Sequence, residues 1–250
     1  MLTNKDLKEK IESKNASIGS WLQIPNPDVA EIMGQAGYDW IAVDLEHGLF
    51  SRQILGDIFR AIELGGTLPM ARLADHGLAS VKTALDAGAR GLIFPMVETR
   101  SQLDRLIDMA LYPPAGKRGV GYARSNLFGR RFDQGLADNE HTFFCAQVEN
   151  IHAMDQLDAI MTHPNLDAVM VGPYDFTGSM GITGQFDHPD FLSVLTEIEK
   201  KAETHQKTLG CHVVSPEKEL LQNQIAKGYR FIAYGTDAVF LYNKAQCPQI

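Results

Sequence analysis

The chain has 250 residues, 44% of them hydrophobic, and a formal net charge of −8 at pH 7. A chain of this length can bury a large core in one domain or two. The acidic balance argues against a nucleic-acid-binding surface, which needs a basic face. The charged segment 1–15 lacks the apolar stretch of a signal peptide, and no apolar run approaches membrane-spanning length. We therefore expect a soluble, cytoplasmic protein with no nucleic-acid or membrane partner.

Short apolar runs alternate with helical patterns along the whole chain. Near-continuous apolar runs are typical of parallel strands covered on both faces, and several helical patterns end at a glycine. The predicted strands cover 17–24, 40–45, 68–73, 91–96, 143–150, 166–173, 208–214 and 229–235. Eight such units predict a (β/α)8 TIM barrel as a single domain over 1–250, with a doubly wound open sheet as the alternative.

Residues 112–142 form a segment too long for an ordinary connection, which is typical of functional or mobile loops. The segment is basic, whereas the protein is acidic; its cations include Lys117, Arg118, Arg124, Arg130 and Arg131. We expect it on the substrate side, in contact with an anionic substrate or a neighbouring subunit. A solvated basic loop is an equally acceptable interpretation.

Polar side chains collect where the predicted strands end, which in a barrel is the face that carries the active site. They are Asp44, Glu46 and His47 after the second strand, Arg72 at the third, Gln147, Glu149 and Asn150 at the fifth, and Asp175 after the sixth. Neighbouring strand residues point to opposite faces, so Glu46 is expected to point away from its neighbour His47 and to be only the polar lip of the strand.

Glu149 and Asp175 end adjacent strands, so both carboxylates could face one point. Two oxygen ligands with open positions suit Mg²⁺ or Mn²⁺ completed by water and substrate. The alternative is that each carboxylate caps a following helix, a role for which Asn150 is already available.

Arg72 and His47 are candidates for charge stabilisation and proton transfer. A guanidinium at a strand end can bind a carboxylate or a developing oxyanion, although a surface salt bridge with Asp75 is also possible. His47 alone could be an ordinary surface histidine. Asp86, a polar residue in an apolar helical stretch, would raise the basicity of His47 if the two met.

Several motifs together resemble the HpcH/HpaI aldolase family across about 17–237. They are, in chain order, DLEHG, the AR that ends the third strand, LDAGARGLIFPMVET, YPPAGKRGVGYAR, QVEN, VGPYDFTGSMG and DHP. Each motif is weak alone, whereas the ordered set is specific. The DFTGSMG motif departs from the commoner DLS form at Phe176 and Thr177.

The resemblance implies a (β/α)8 barrel of the phosphoenolpyruvate/pyruvate-domain type and a class II pyruvate aldolase. Glu149 and Asp175 would hold a divalent ion (Mg²⁺, Mn²⁺ or Co²⁺). Gln147 would bind substrate, and so would the main chain of Tyr174, where small residues are common in the family. The list of implied catalytic residues is His47 as acid–base group, Asp86 as its supporting acid, Arg72 as stabiliser of the transition state and Asp44 in the same hydrogen-bonded cluster.

The implied reaction is the reversible cleavage of a 4-hydroxy-2-oxo acid to pyruvate and an aldehyde. A 2-keto-3-deoxy sugar acid would fit the form of the long loop. The resemblance also implies a homohexamer built as a trimer of dimers, with the C-terminal segment packing on a neighbouring subunit. The alternative is a related metal-dependent lyase of the citrate-lyase-β type acting on another oxo acid or a thioester.

Overall fold

A computed structural model describes residues 2–248. Eight parallel strands close into a barrel in chain order, with the last strand pairing with the first. The strands are β1 Ser17–Leu22, β2 Trp40–Asp44, β3 Leu68–Arg72, β4 Gly91–Phe94, β5 Phe143–Val148, β6 Ala168–Val171, β7 Thr208–Val213 and β8 Phe231–Thr236. The prediction of a (β/α)8 barrel is confirmed, and all eight predicted strands are present.

Helices connect the strands and cover the outside of the barrel. They are α1 Asn4–Glu12, α2 Pro27–Gly34, α3 Arg52–Leu64, α4 Leu78–Ala87, α5 Arg100–Ala110, α6 Phe132–Ala137, α7 Leu157–Met161, α8 Pro173–Ser179, α9 Pro189–Thr204, α10 Lys218–Ala226 and α11 Asp237–Lys244. Among residues 2–248, none of these helices has the length and apolar character needed to cross a membrane.

Aromatic rings fill the lower part of the barrel. Trp40 stacks on Phe231 with ring centroids 4.3 Å apart, and Phe143 also stacks on Phe231, at 4.8 Å. Helix α1, which precedes the first strand, places Leu7 and Ile11 in the same buried cluster. Because buried side chains fill the lumen at this end, the substrate space is expected near the carboxyl ends of the strands.

Segment 112–142 joins α5 to β5, so within one chain it lies at the amino-terminal end of the barrel. Within a single chain, segment 112–142 therefore does not lie on the substrate side, where we expected it. The segment contains short helical turns, including α6. Several of its cations pair with carboxylates of the same chain: Lys117 with Asp108, Arg118 with Asp86 and Arg124 with Glu63.

Candidate active site

The top layer of the barrel interior is polar. Strand alternation directs Asp44, Arg72 and Gln147 into the lumen above the aromatic layers, and Glu149 follows directly after β5. Asp44, Gln147 and Glu149 are all buried. The structure thus brings most of the predicted strand-end residues to one place.

Asp44 and Arg72 form a two-pronged ion pair across neighbouring strands. Arg72 Nε donates to Asp44 Oδ1 at 2.9 Å and Nη2 donates to Oδ2 at 2.6 Å. Although burial alone would raise the pKa of Asp44, hydrogen bonds and charge from Arg72 hold that pKa below its ordinary value. Asp75, the alternative partner, accepts instead from the Gly77 backbone N–H at 2.6 Å. Arg72 therefore faces the lumen as a fixed cation.

Glu46 belongs to the site, and the expectation that it points away is wrong. Its Oε2 lies 3.2 Å from Arg72 Nη1 and 3.9 Å from His47 Nε2. The reason is that β2 ends at Asp44, so the alternation of strand residues no longer applies at Glu46. Glu46 is thus the second carboxylate, after Asp44, that contacts the Arg72 guanidinium.

Glu149 is a buried carboxyl with an unusual proton affinity. Burial raises its pKa to about 7, against the effect of the Met96 N–H that donates to Oε1 at 2.6 Å; the negative charges of Glu46 and Asp175 raise it further. A cation at this point would relieve both the burial of the charge and the repulsion. The alternative role of Glu149 as a helix cap is not observed, because its recorded contacts are with Met96 and Gln147.

A strained backbone presents Met96 to Glu149. Met96 has a φ of 48°, in the left-handed region that non-glycine residues rarely adopt. The preceding carbonyl of Pro95 lies 2.6 Å from His76 Nε2, which braces the turn. This strain is what one expects where the backbone serves a functional carboxylate.

Gln147, Glu149 and Asp175 suit a divalent cation with open positions. Gln147 Nε2 donates to Glu149 Oε2 at 3.1 Å, whereas the buried Gln147 Oε1 has no hydrogen-bond partner among residues 2–248. Asp175 is exposed in the first turn of α8. Residues 2–248 contain no group of three or more His, Cys, Asp or Glu side chains arranged to hold a metal. Two carboxylates would leave the other positions to water and substrate, as Mg²⁺ sites commonly do.

Two other predicted residues flank this point. Tyr174 precedes Asp175, is 61% exposed and packs edge-on against Phe186 with ring centroids 4.8 Å apart. Asn150 caps the turn that follows β5, since its Oδ1 accepts from the His152 N–H at 3.0 Å. Its interpretation as a helix cap is confirmed.

His47 lies at the rim, and Asp86 does not reach it in this chain. The His47 backbone N–H donates to Asp44 Oδ1 at 3.2 Å, while its side chain is 61% exposed. Asp86 lies near the end of α4, just before β4 begins, and therefore at the opposite end of the barrel. There it accepts from Arg118 Nη2 at 2.8 Å. The predicted pairing of His47 with Asp86 is not formed within one chain, because α4 runs antiparallel to the strands.

Three lumen residues escaped the sequence analysis. The Arg72 guanidinium lies over the ring of Trp21, 4.6 Å from the ring centroid, and Gln23 Nε2 donates to Asp44 Oδ2 at 2.9 Å. His212 contacts the same Trp21 ring. Trp21 and His212 lie on predicted strands, and assigning a face to each strand residue by alternation would have placed both in the lumen with Arg72.

The family model of HpcH/HpaI aldolase/citrate lyase matches residues 17–244. The chain belongs to this family. It is 32% identical over 238 residues to the hydroxypyruvate/pyruvate aldolase of Roseobacter denitrificans, covering 94% of this chain and 92% of that protein. It is 33% identical over 246 residues to the 2-keto-3-deoxy-L-rhamnonate aldolase of Salmonella gallinarum, covering 98% and 91%.

A solved structure agrees with the sequence relatives. The HpcH/HpaI aldolase/citrate lyase family protein of Burkholderia cenocepacia superimposes with a TM-score of 0.91 at 29% identity, over 97% of this chain and 96% of that chain. The resemblance to the HpcH/HpaI aldolases is thus confirmed over nearly the whole length, together with the prediction of a carbon–carbon lyase.

Proposed function

We propose that this family member cleaves a 4-hydroxy-2-oxo acid reversibly to pyruvate and an aldehyde, as a class II, divalent-metal-dependent aldolase. The observation that carries the proposal is the juxtaposition of a buried Glu149, an unpartnered Gln147 Oε1 and the fixed Arg72 cation in one polar layer. Aldolase names among relatives about one-third identical over almost the whole chain support the same reaction class.

Glu149 and Asp175 are the proposed ligands of the divalent ion, with Gln147 and the main chain at Tyr174 contacting the substrate. When bound, Mg²⁺, Mn²⁺ or Co²⁺ would act as a Lewis acid on the oxo group. Arg72 adds positive charge where the negative charge of the enolate develops, and it needs little reorganisation because Asp44 and Glu46 already hold it. Asp44 thereby acts as the orienting member of the cluster.

His47 is the proposed proton carrier. In the cleavage direction it takes the proton of the 4-hydroxyl as the C3–C4 bond breaks and the aldehyde leaves, with the electron pair passing to the pyruvate enolate. Its exposed ring at the rim can then exchange the proton with solvent. The enolate gains a proton at C3 to give pyruvate, so the atoms balance without a further reactant.

If Asp86 is the acid that supports His47, it has to come from another copy of the chain. The two residues lie at opposite ends of the same barrel, so an Asp86 beside His47 belongs to a neighbouring copy of the chain. The proposed homohexamer, a trimer of dimers, could supply such a neighbour, with the segment 112–142 and the C-terminal segment at its interfaces. Leu241 and Tyr242 in α11 are 59% and 72% exposed, which suits such a contact. Sedimentation equilibrium tests the proposed homohexamer, for which the expected mass is six times the 27.6 kDa of one chain.

The proposed aldehyde product is a short hydroxyaldehyde, so that the substrate is a 2-keto-3-deoxy sugar acid. A panel of 4-hydroxy-2-oxo acids with different aldehyde halves, assayed for pyruvate release with Mg²⁺, Mn²⁺ or Co²⁺, tests the function. We expect metal-dependent release that EDTA abolishes and that His47→Ala lowers strongly while metal binding persists. Activity that survives EDTA, or trapping of pyruvate on the protein by borohydride, would overturn the class II mechanism. Cleavage of a thioester instead would favour the citrate-lyase-β alternative.

A further inference from the structure

His212 is a polar side chain in the barrel lumen to which the mechanism above gives no role. It lies near the carboxyl end of β7, and its ring meets the Trp21 ring edge-on with centroids 5.9 Å apart. The Arg72 guanidinium lies over the same indole at 4.6 Å. Trp21 thus links His212 to the cation proposed to stabilise the enolate, and His212 belongs to the wall of the substrate space.

A bulge in the sheet fixes the tautomer of His212. The pairing between β1 and β8 shifts register around Tyr234 and Gly235, and Gly235 adopts a left-handed φ of 62°. The Gly235 carbonyl, which also accepts from Ser20 Oγ at 3.3 Å, lies 3.1 Å from His212 Nε2. A carbonyl oxygen can only accept a hydrogen bond, so Nε2 carries the ring proton.

The other ring nitrogen is left as a free acceptor. No residue of the described part of the chain bonds to Nδ1, this atom is not among the fully buried unpaired atoms, and His212 as a whole residue is half-buried. Burial lowers the pKa of His212 to about 4, against the Gly235 bond and with help from the Arg72 charge. The ring is therefore neutral at physiological pH, and Nδ1 carries a free lone pair on a ring that lies in the wall of the lumen beside Trp21.

We propose that His212 is a specificity-determining residue whose Nδ1 accepts a hydrogen bond from a hydroxyl group of the substrate. A lone pair repels a carboxylate or a carbonyl oxygen, whereas it matches an O–H donor. The ligand class is therefore a hydroxylated reactant: a 3-hydroxy-2-oxo acid on the donor side or a 2-hydroxyaldehyde on the acceptor side. This inference rests on the proposed aldolase function, because it assigns selectivity among reactants of that same site.

A purely structural role for His212 makes a different prediction. If the ring only fills space beside Trp21, its replacement will affect hydroxylated and unhydroxylated reactants alike. If it recognises a hydroxyl, its replacement will change the ratio between them, because the wall then lacks a partner for that group. Selectivity ratios therefore separate the two roles.

The test compares wild type, His212→Leu and His212→Asn with two matched pairs of reactants and saturating Mg²⁺. Hydroxypyruvate against pyruvate probes the donor side with one aldehyde held constant, and glycolaldehyde against acetaldehyde probes the acceptor side with pyruvate held constant. We expect His212→Leu to lower the selectivity for the hydroxylated member of one pair by roughly tenfold, the size of one net hydrogen bond. His212→Asn, which keeps a polar group near the Nδ1 position, should restore part of it.

The pair whose ratio changes identifies the reactant that carries the hydroxyl. Ratios that stay within about twofold of wild type for both pairs would overturn the role of His212 while leaving the aldolase function intact. If the wild type forms no aldol product at all, the proposed function fails instead. Binding of the same four compounds is then followed by tryptophan fluorescence, since Trp21 lies beside the ring. The ratio of Kd values within each pair decides whether His212 recognises the hydroxyl.

Discussion

Arg72 is the residue on which the contacts of the site converge. It bonds Asp44 through two nitrogens, approaches Glu46 with a third and lies over the ring of Trp21. Such a fork holds the positive charge at one point, which a flexible ammonium cannot do. For stabilising the enolate, we therefore expect the position of the positive charge to matter as well as its presence.

Arg72→Lys is therefore expected to lower kcat/KM for aldol cleavage by about 10²- to 10³-fold, although the charge is kept. Lysine lacks the planar fork that bonds both Asp44 oxygens while it contacts Glu46, so its ammonium will not be held where the enolate charge develops. Steady-state kinetics on the best substrate of the panel measures the loss. Arg60→Lys is the matched control, since Arg60 is exposed on α3 and forms an ion pair with the neighbouring Asp57. A kcat/KM within threefold of wild type would remove the positioning role from Arg72.

His212 should also leave a signature in the pH dependence of stability. Its pKa is lowered to about 4 in the folded protein, from an ordinary value of 6.5. Between these values the unfolded chain binds the proton and the folded chain does not, so the contribution of His212 is fully present above pH 6.5 and is lost as pH falls toward 4. The slope is at most about 1.4 kcal/mol per pH unit.

Thermal unfolding of wild type and His212→Asn across pH 4 to 8 measures this contribution. We expect the wild type to lose more stability than the variant as the pH falls through this window. Parallel curves for the two proteins would show that folding does not lower the pKa of the imidazole. Taking the difference between the two proteins removes the other groups that titrate in the same range.

At the residue scale, the sequence predicted which side chains lie at the mouth of the barrel better than it predicted which partners they contact. The ends of strands carry Asp44, Arg72, Gln147 and Glu149 to one layer, as the strand-end rule predicts. Glu46 was misassigned because its side-chain direction depends on where β2 ends, and strand ends are uncertain by a residue or two from sequence. The separation of Asp86 from His47 was predictable, because Asp86 lies in the helical pattern that ends at Gly88, just before the fourth strand, whereas His47 follows the end of a strand.

At the scale of elements, the apolar runs predicted β1 to β8 because buried parallel strands have no polar face to obscure the pattern. Helix α1 was not predicted, since its segment is short, charged and contains few apolar residues. The start of α8 is the element boundary most tightly tied to the site. Gly172 caps that helix, and a Cβ at this position would overlap the Glu149 carboxylate.

Gly172→Ala is accordingly expected to displace Glu149 and weaken metal binding by roughly 10- to 100-fold, the range seen when groups that hold metal ligands are changed. Gly178→Ala is the matched control on the same helix, where the nearest atom to an added Cβ is Thr183 Oγ1 at 3.6 Å. Titration of both variants with Mn²⁺ gives the comparison. Equal Mn²⁺ affinity in Gly172→Ala and wild type would mean that Glu149 does not hold the ion.

At the scale of the whole molecule, the barrel has a closed end and an open end. Helix α1 and the aromatic layers fill the amino-terminal end, while the polar layer faces the open mouth. The segment 112–142 lies at the closed end of its own barrel and still exposes Tyr122 and Phe128, at 77% and 71%. A sequence of one chain cannot state what covers such a segment, because that depends on the arrangement of copies.

The central claim is that Glu149 and Asp175 hold one catalytic divalent ion, and Mn²⁺ binding followed by electron paramagnetic resonance tests it most directly. Wild type is expected to bind one Mn²⁺ per chain reversibly, with a spectrum that changes on adding pyruvate. Glu149→Gln should lose both properties, and Glu219→Gln, at an exposed position on α10, should keep them. Wild-type Mn²⁺ binding and pyruvate response in Glu149→Gln would contradict the account.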